Sequence, residues 1–173
     1  MLKVAINGFG RIGRHSLKVA WDREDMEIVA INDLTDNKTL AHLLKYDTAY
    51  PDWSHEISYD EENIIIDGKK IRAFAEKDPS QLPWGELEID VVMESTGIFR
   101  TSEKAGLHLQ AGAKKVVLSA PGKGDDIETY VRGINCESYS GAKIIDNASC
   151  TTNCTAPVVQ ALHKKFGVEK ALL

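Results

Sequence analysis

The segment Gly8-Phe9-Gly10-Arg11-Ile12-Gly13 constrains this chain more than any other feature. It follows an apolar run, Val4 to Ile6, and precedes a helical pattern from Arg11 to about Trp21. A second apolar run, Ile28-Val29-Ala30-Ile31, ends at Asn32-Asp33, with Asp33 twenty positions past Gly13. Strand, glycine turn, helix and strand in this order make a βαβ unit, whose strands are parallel and whose crossover is right-handed. The full pattern fits a dinucleotide-binding turn. Gly8 permits the tight turn, Gly10 lets the backbone approach a pyrophosphate, and Gly13 lets helix pack on strand. The amides of Arg11 and Ile12, at the helix start, are placed to donate to phosphates in the positive field of the dipole. Asp33 is placed to accept from ribose hydroxyls. A carboxylate there repels a 2′-phosphate, Leu34 offers no cation, and Lys38 falls on the next helix, so the pattern points to NAD rather than NADP.

Beyond the turn, Asn37 to Tyr46 carries Leu40, Leu43 and Leu44 at helical spacing. Residues 56–75 read as a hairpin, with Ile64-Ile65-Ile66, a tight Asp67-Gly68 turn and then Ile71. This small antiparallel piece is expected as an insertion at the sheet margin. Parallel patterning resumes with a strand at Asp90 to Glu94, a helix over Ser102 to Ala111, and strands at Lys115 to Ser119 and Lys143 to Asp146. A last helix, starting near Ser149 and bent at Pro157, is expected to end near Phe166, just before Gly167. Val168 to Leu173 begin another apolar run, so the chain reads as cut inside an element. The expected fold is α/β, a Rossmann-type doubly wound, mainly parallel sheet with a small antiparallel insertion.

In such sheets ligands lie outside the carboxyl ends of the strands. Glu94-Ser95-Thr96-Gly97 and Ser119-Ala120-Pro121-Gly122 occupy two of those ends, offering hydroxyls and open backbone or simply polar loop residues. The net charge of −5 over 173 residues repels phosphate backbones, and the basic residues come in isolated pairs. Nucleic-acid binding is therefore not the expected role. No apolar run approaches the ~20 residues of a membrane span, and glycine comes too early for a secretory signal. A cytoplasmic location follows as the expectation. Three cysteines without a CxxC suit neither a disulfide framework nor a zinc site, and no metal is expected.

Cys150 opens the last helix in Ala148-Ser149-Cys150-Thr151-Thr152-Asn153-Cys154. Free amides and the dipole at that end favour a thiolate. Cys150, Cys154, Val158, Leu162 and Phe166 share one i,i+4 ridge, which is expected to be buried. Position alone leaves Cys150 open between a reactive nucleophile and a packed structural cysteine. A thiolate nucleophile wants a base, and the chain has five histidines. His163, on the same helix, lies roughly 20 Å along and about 220° round the axis. His15, His42, His55 and His108 read as exposed surface residues with no route to Cys150.

Together, Asn7-Gly8-Phe9-Gly10-Arg11-Ile12-Gly13-Arg14, Asn32-Asp33, Glu94-Ser95-Thr96-Gly97 and Ala148 to Cys154 closely resemble the phosphorylating glyceraldehyde-3-phosphate dehydrogenases. The resemblance implies a nucleotide domain at residues 1–149 and, at 150–173, the opening helix and strand of a truncated catalytic domain. By that comparison Cys150 is the nucleophile, forming a thiohemiacetal and then a thioester that inorganic phosphate attacks. Ser149 and Thr151 stand where substrate or phosphate is contacted. Gly8, Gly10, Arg11, Ile12, Asp33, Ser95, Thr96 and Ser119 stand at cofactor positions. Lys77 stands where the family often has arginine, with charge but no planar fork. The implied partners are an aldehyde phosphate, inorganic phosphate and further copies of the chain, a tetramer for the whole enzyme. The family's catalytic histidine and most phosphate-binding cations would follow Leu173, so these residues alone are expected to be inactive. The rival readings are an erythrose-4-phosphate dehydrogenase, which shares the turn and the cysteine motif, and a non-catalytic NAD-binding module.

Overall fold

A computed structural model describes residues 1–172. Among them, nine strands form one sheet in the order β3-β4-β5-β2-β1-β6-β7-β9-β8. The strands are β1 (Leu2–Asn7), β2 (Met26–Asn32), β3 (Ile57–Tyr59), β4 (Asn63–Ile66), β5 (Lys69–Phe74), β6 (Val91–Glu94), β7 (Lys115–Leu118), β8 (Glu128–Thr129) and β9 (Ile144–Asp146). The helices are α1 (Arg11–Ala20), α2 (Asn37–Lys45), α3 (Ser102–Gln110) and α4 (Cys150–Phe166). Every pair from β5 to β8 is parallel, and only β3–β4 and β4–β5 are antiparallel. This is the doubly wound arrangement, with β1 at the centre where the winding reverses. No helix among the described residues is long and apolar enough to cross a membrane.

Alternation along the strands sorts the core onto two faces. Val4 and Ile6 of β1 join Leu17 of α1 and Leu40 and Leu44 of α2 on one side. Ala5 joins Val92, Trp84 and Ile89 on the other. Ile28 and Ile31 both face the first core although three positions apart, because the β1–β2 register shifts between Val4 and Ala5. That extra residue restores the facing that strict alternation would reverse.

The hairpin is at the margin as expected, but it is not a separate insert. Asp67 and Gly68 both take positive φ, 50° and 79°. That is the backbone a two-residue hairpin turn needs. β5 then pairs in parallel with β2, so the antiparallel piece extends the main sheet. The short β8 was not expected from the sequence: two residues carry no readable period.

Two further expectations fail. The ridge on α4 is not buried: Val158 is 57% exposed, Leu162 46% and Phe166 72%, and Cys154 is exposed too. Spacing aligned these side chains, but no element among the described residues lies over them. The helix runs unbroken through Pro157. Residues 168–172 form no strand, since a strand needs a partner to satisfy its backbone and no strand among the described residues pairs with them. Leu173 lies outside the described residues.

Candidate active site

The turn is built by exclusion of side chains. A Cβ on Gly13 would meet Gly8 O at 2.2 Å. A Cβ on Gly8, whose φ is +92°, would meet Thr96 N at 2.6 Å. Gly10 has nothing within 4 Å of a would-be Cβ. Two glycines thus permit close packing of α1 on β1 and of the turn on the β6 loop, while the third leaves bare backbone facing open space. Gly10 caps α1 without any side-chain hydrogen bond. The amides of Arg11 and Ile12 are therefore free for an anion there. This is a cradle that a dinucleotide pyrophosphate fits.

A cleft of about 500 Å³ opens beside the turn. It takes Gly8 and Gly10 from the turn, Asn32 and Asp33 from the end of β2, Lys77 from the loop after β5, and Ser95 and Thr96 from the loop after β6. Asp33 is half-buried, its Oδ2 accepting from Phe9 N at 2.8 Å and its Oδ1 from Thr35 N at 3.0 Å. The carboxylate is thus held at the mouth by the backbone of the turn it serves. Ser95 is oriented inward, its hydroxyl donating to Gly8 O at 2.7 Å. Lys77 is exposed on the rim. Arg11 lines neither cleft; its side chain reaches Asp47 at 3.0 Å, so its amide is the group available to a ligand. The Ala49 amide, followed by Arg11, holds the Asp47 carboxyl below its usual range. Arg14, whose guanidinium donates to Phe9 O at 2.9 Å, is pushed down by burial first and by Arg11 second.

A second cleft of about 540 Å³ holds Cys150. Ile12, Ser119 and Arg132 share it, so two expected cofactor positions, Ile12 and Ser119, lie nearer the cysteine than the ribose end. Cys150 is the first residue of α4 and exposed. Ser149 caps the helix, its Oγ accepting from Thr152 N at 2.9 Å and pairing with Thr152 Oγ1 at 2.8 Å. Thr151 is exposed and outside both clefts.

Asp146, buried at the end of β9, sets the approach to the cysteine. Its Oδ1 accepts from Ala148 N at 2.7 Å, and its Oδ2 from Gly122 N at 2.9 Å and Thr129 Oγ1 at 3.0 Å. Ala148 sits at φ +58°, a conformation costing a non-glycine residue roughly 1–3 kcal/mol. Asn153 braces the same bend, donating to Asn147 O at 2.6 Å and Ser149 O at 3.0 Å. Sequence reasoning missed Asp146, although a carboxylate closing an apolar strand was a readable signal.

It also missed His108. Read as an exposed histidine, it is wholly buried, with Glu94 at 3.0 Å and the Trp84 indole at 3.0 Å. Its helix carries few apolar residues, and nothing local marks the face turned inward. Among the described residues, no histidine joins Cys150 in its cleft.

Comparison with known proteins gives consistent matches. A family model described as "Glyceraldehyde 3-phosphate dehydrogenase, NAD binding domain" matches residues 2–102. A second, "Glyceraldehyde 3-phosphate dehydrogenase, C-terminal domain", matches residues 149–173. Curated relatives named glyceraldehyde-3-phosphate dehydrogenase include one from Thermotoga maritima, 56% identical over all of this chain and 53% of its own length. One from Clostridium pasteurianum is 53% identical over 100% of this chain and 52% of itself. One from Geobacillus stearothermophilus is 50% identical over 99% and 52%. The chain spans about half the length of these relatives.

Proposed function

This chain belongs to the glyceraldehyde-3-phosphate dehydrogenase family, and from that premise we propose that it supplies the NAD grip and the nucleophile of an NAD-dependent, phosphorylating aldehyde dehydrogenase acting in glycolysis. The observation that carries this reading is the juxtaposition of two clefts at the carboxyl ends of the parallel strands. One has the pyrophosphate cradle and Asp33, the other Cys150 at a helix start, with Gly10 and Ile12 of the same turn touching one each.

The chemistry assigned to the chain's own residues runs in three steps. Cys150 Sγ adds to the aldehyde carbon, and the carbonyl oxygen gains the proton, giving a thiohemiacetal. NAD held by the Gly8–Gly13 turn and Asp33 would supply the hydride acceptor, so that loss of hydride from the thiohemiacetal carbon and of the proton from its hydroxyl would leave a thioester on Cys150. Inorganic phosphate attacks the thioester carbon, expels the thiolate and departs as acyl phosphate. Ser149 and Thr151 flank Cys150 in sequence and are the proposed phosphate contacts. Gly8, Gly10, Ser95 and Thr96 shape the cofactor cleft, Lys77 lends charge to its rim, and Ser119 serves from the cysteine side. The substrate is glyceraldehyde 3-phosphate and the product 1,3-bisphosphoglycerate; the names of the relatives favour that aldehyde over erythrose 4-phosphate. Residues 1–149 make the nucleotide domain and 150–173 open the catalytic one. The whole enzyme works as a cytoplasmic homo-oligomer.

The 173-residue polypeptide by itself binds NAD and does not turn over. Acyl transfer through cysteine needs a base and donors aimed at the developing oxyanion. His163 is about 20 Å from Cys150 along α4, and it accepts from Val168 N. Titration calorimetry with NAD, and NADH absorbance with aldehyde and phosphate, test both parts. Asp33→Ala is expected to weaken NAD by about 1–3 kcal/mol. No binding at millimolar NAD sinks the cofactor role of this cleft. NADH formation within a few-fold of a full-length relative sinks the claim that the base is lacking.

A further inference from the structure

Three strands end on a buried polar residue below the NAD cleft: Asn7 closes β1, Asn32 closes β2 and Glu94 closes β6. Burying a carboxylate is costly, and an apolar side chain of similar size is often the more stable choice. What Glu94 does for its cost is visible in its partners. Oε1 accepts from Thr96 N at 2.7 Å and from Thr96 Oγ1 at 2.5 Å. Oε2 accepts from Asn7 Nδ2 at 2.6 Å and from His108 Nε2 at 3.0 Å.

The chain of bonds continues in both directions. Asn32 Nδ2 donates to Asn7 Oδ1 at 2.7 Å. The same amide clamps the backbone of residue 76, donating to Glu76 O at 2.9 Å and accepting from Glu76 N at 2.8 Å. On the other side, Trp84 Nε1 donates to His108 Nδ1 at 3.0 Å. An indole N–H can only donate, so Nδ1 is the acceptor and Nε2 carries the proton directed at Glu94. Among the described residues no buried side-chain nitrogen or oxygen lacks a partner.

The two ends of this chain are opposite walls of the cleft: Glu76 and Lys77 on one side, Ser95 and Thr96 on the other. Thr96 also abuts the turn, since a Cβ on Gly8 would lie 2.6 Å from its amide. We infer that the Glu94-centred network fixes the two walls and the turn as one unit, making Glu94 a positioning residue for NAD and His108, oriented by Trp84, its support from behind. The inference rests on the reading of this cleft as the NAD site. Trp84 is wholly buried and lines no part of the cleft, so it can influence NAD only through the network or through the core.

The experiment is calorimetric titration of the chain with NAD for the parent, Glu94→Gln, Trp84→Phe and the double variant, with thermal unfolding to confirm that each is folded. Glu94→Gln puts an NH₂ against two of the four donors and is expected to weaken NAD by roughly tenfold. Trp84→Phe is expected to cost about two- to threefold, and to cost nothing further in the Glu94→Gln background, because coupled sites are not additive. A folded Glu94→Gln with parental affinity, or a Trp84→Phe loss that adds in full, overturns the proposal. If Glu94→Gln does not fold, Trp84→Phe decides alone, and unchanged affinity overturns it. If the parent fails to bind NAD, the reading of the cleft fails instead. The network is then judged by the Trp84 indole proton resonance, which must move in Thr96→Val; a resonance that stays put refutes the coupling.

Discussion

The Gly8–Gly13 turn and the Ser149–Cys150 bend share a plan: each joins the end of a parallel strand to the start of a helix. They differ in what surrounds them. Around the turn, α1 buries Gly13, Leu17 and Ala20, and Phe9 behind it is wholly buried. Around the bend the strand side is equally firm, with Asp146 taking three donors, but α4 buries none of its 17 residues. The lesson concerns where each site gets its geometry. The cofactor grip is set by packing that lies within this chain. The cysteine is aimed from below only, and the face of its helix that bears Val158, Leu162 and Phe166 is left exposed by the described residues.

The sharpest test of that difference compares matching truncations on the two helices. Leu17→Ala, on α1, is expected to destabilise the chain by about 2–5 kcal/mol. Leu162→Ser, on α4, is expected to change stability by no more than about 0.5 kcal/mol. Chemical denaturation of both variants measures this. A large loss for Leu162→Ser that grows with protein concentration would mean that copies of the chain cover α4 for one another.

A second test works on the turn itself. Gly13→Ala places a methyl 2.2 Å from Gly8 O, a backbone atom that cannot swing away. The expected cost is about 1–3 kcal/mol of stability and at least about tenfold in NAD affinity. Parental affinity in this variant would break the claim that packing of α1 on β1 sets the grip. The smallest effect is a pH dependence confined to the sheet margin. Lys70 first, then Asn63, lowers the Asp60 carboxyl to about 2. A lowered folded value stabilises above the ordinary value near 3.8, and that stabilisation is lost as pH falls toward 2. Residues 150–166 carry no carboxylate. Protection factors of the Ile64 and Ile66 amides, corrected for intrinsic exchange, should therefore fall over this range while those of α4 hold, and Asp60→Asn should flatten the change.

Much of the fold was legible because its demands are local. A glycine turn, two flanking apolar runs and an Asp-Gly hairpin turn announce themselves within a few residues. The placement of Cys150 at a helix start followed from the same kind of signal. What stayed hidden was whatever depends on distant partners. His108 meets Trp84, 24 positions earlier, and Glu94, 14 positions earlier, and only the folded sheet brings them together. The exposed ridge of α4 was misread for the converse reason: periodicity says which side chains share a face, never whether another element lies over it. One signal went unused. Asn7, Asn32, Glu94 and Asp146 each close an apolar strand, and all four are buried.

The close approach of Thr96 to Gly8 has a consequence for the order of events in synthesis. The two residues are separated by just over half of the 173 residues, and β1 also pairs with β6, Asn7 opposite Glu94. Until residue 96 has left the ribosome, the turn has only β2 and α1 to shape it, and the loop that seats it does not yet exist. Contacts this distant in sequence close late and slowly. A nascent chain stalled after its first βαβ unit would therefore present the glycine motif in full and still not hold the cofactor. The capacity to bind NAD should arise abruptly, at the length that delivers β6 into the sheet.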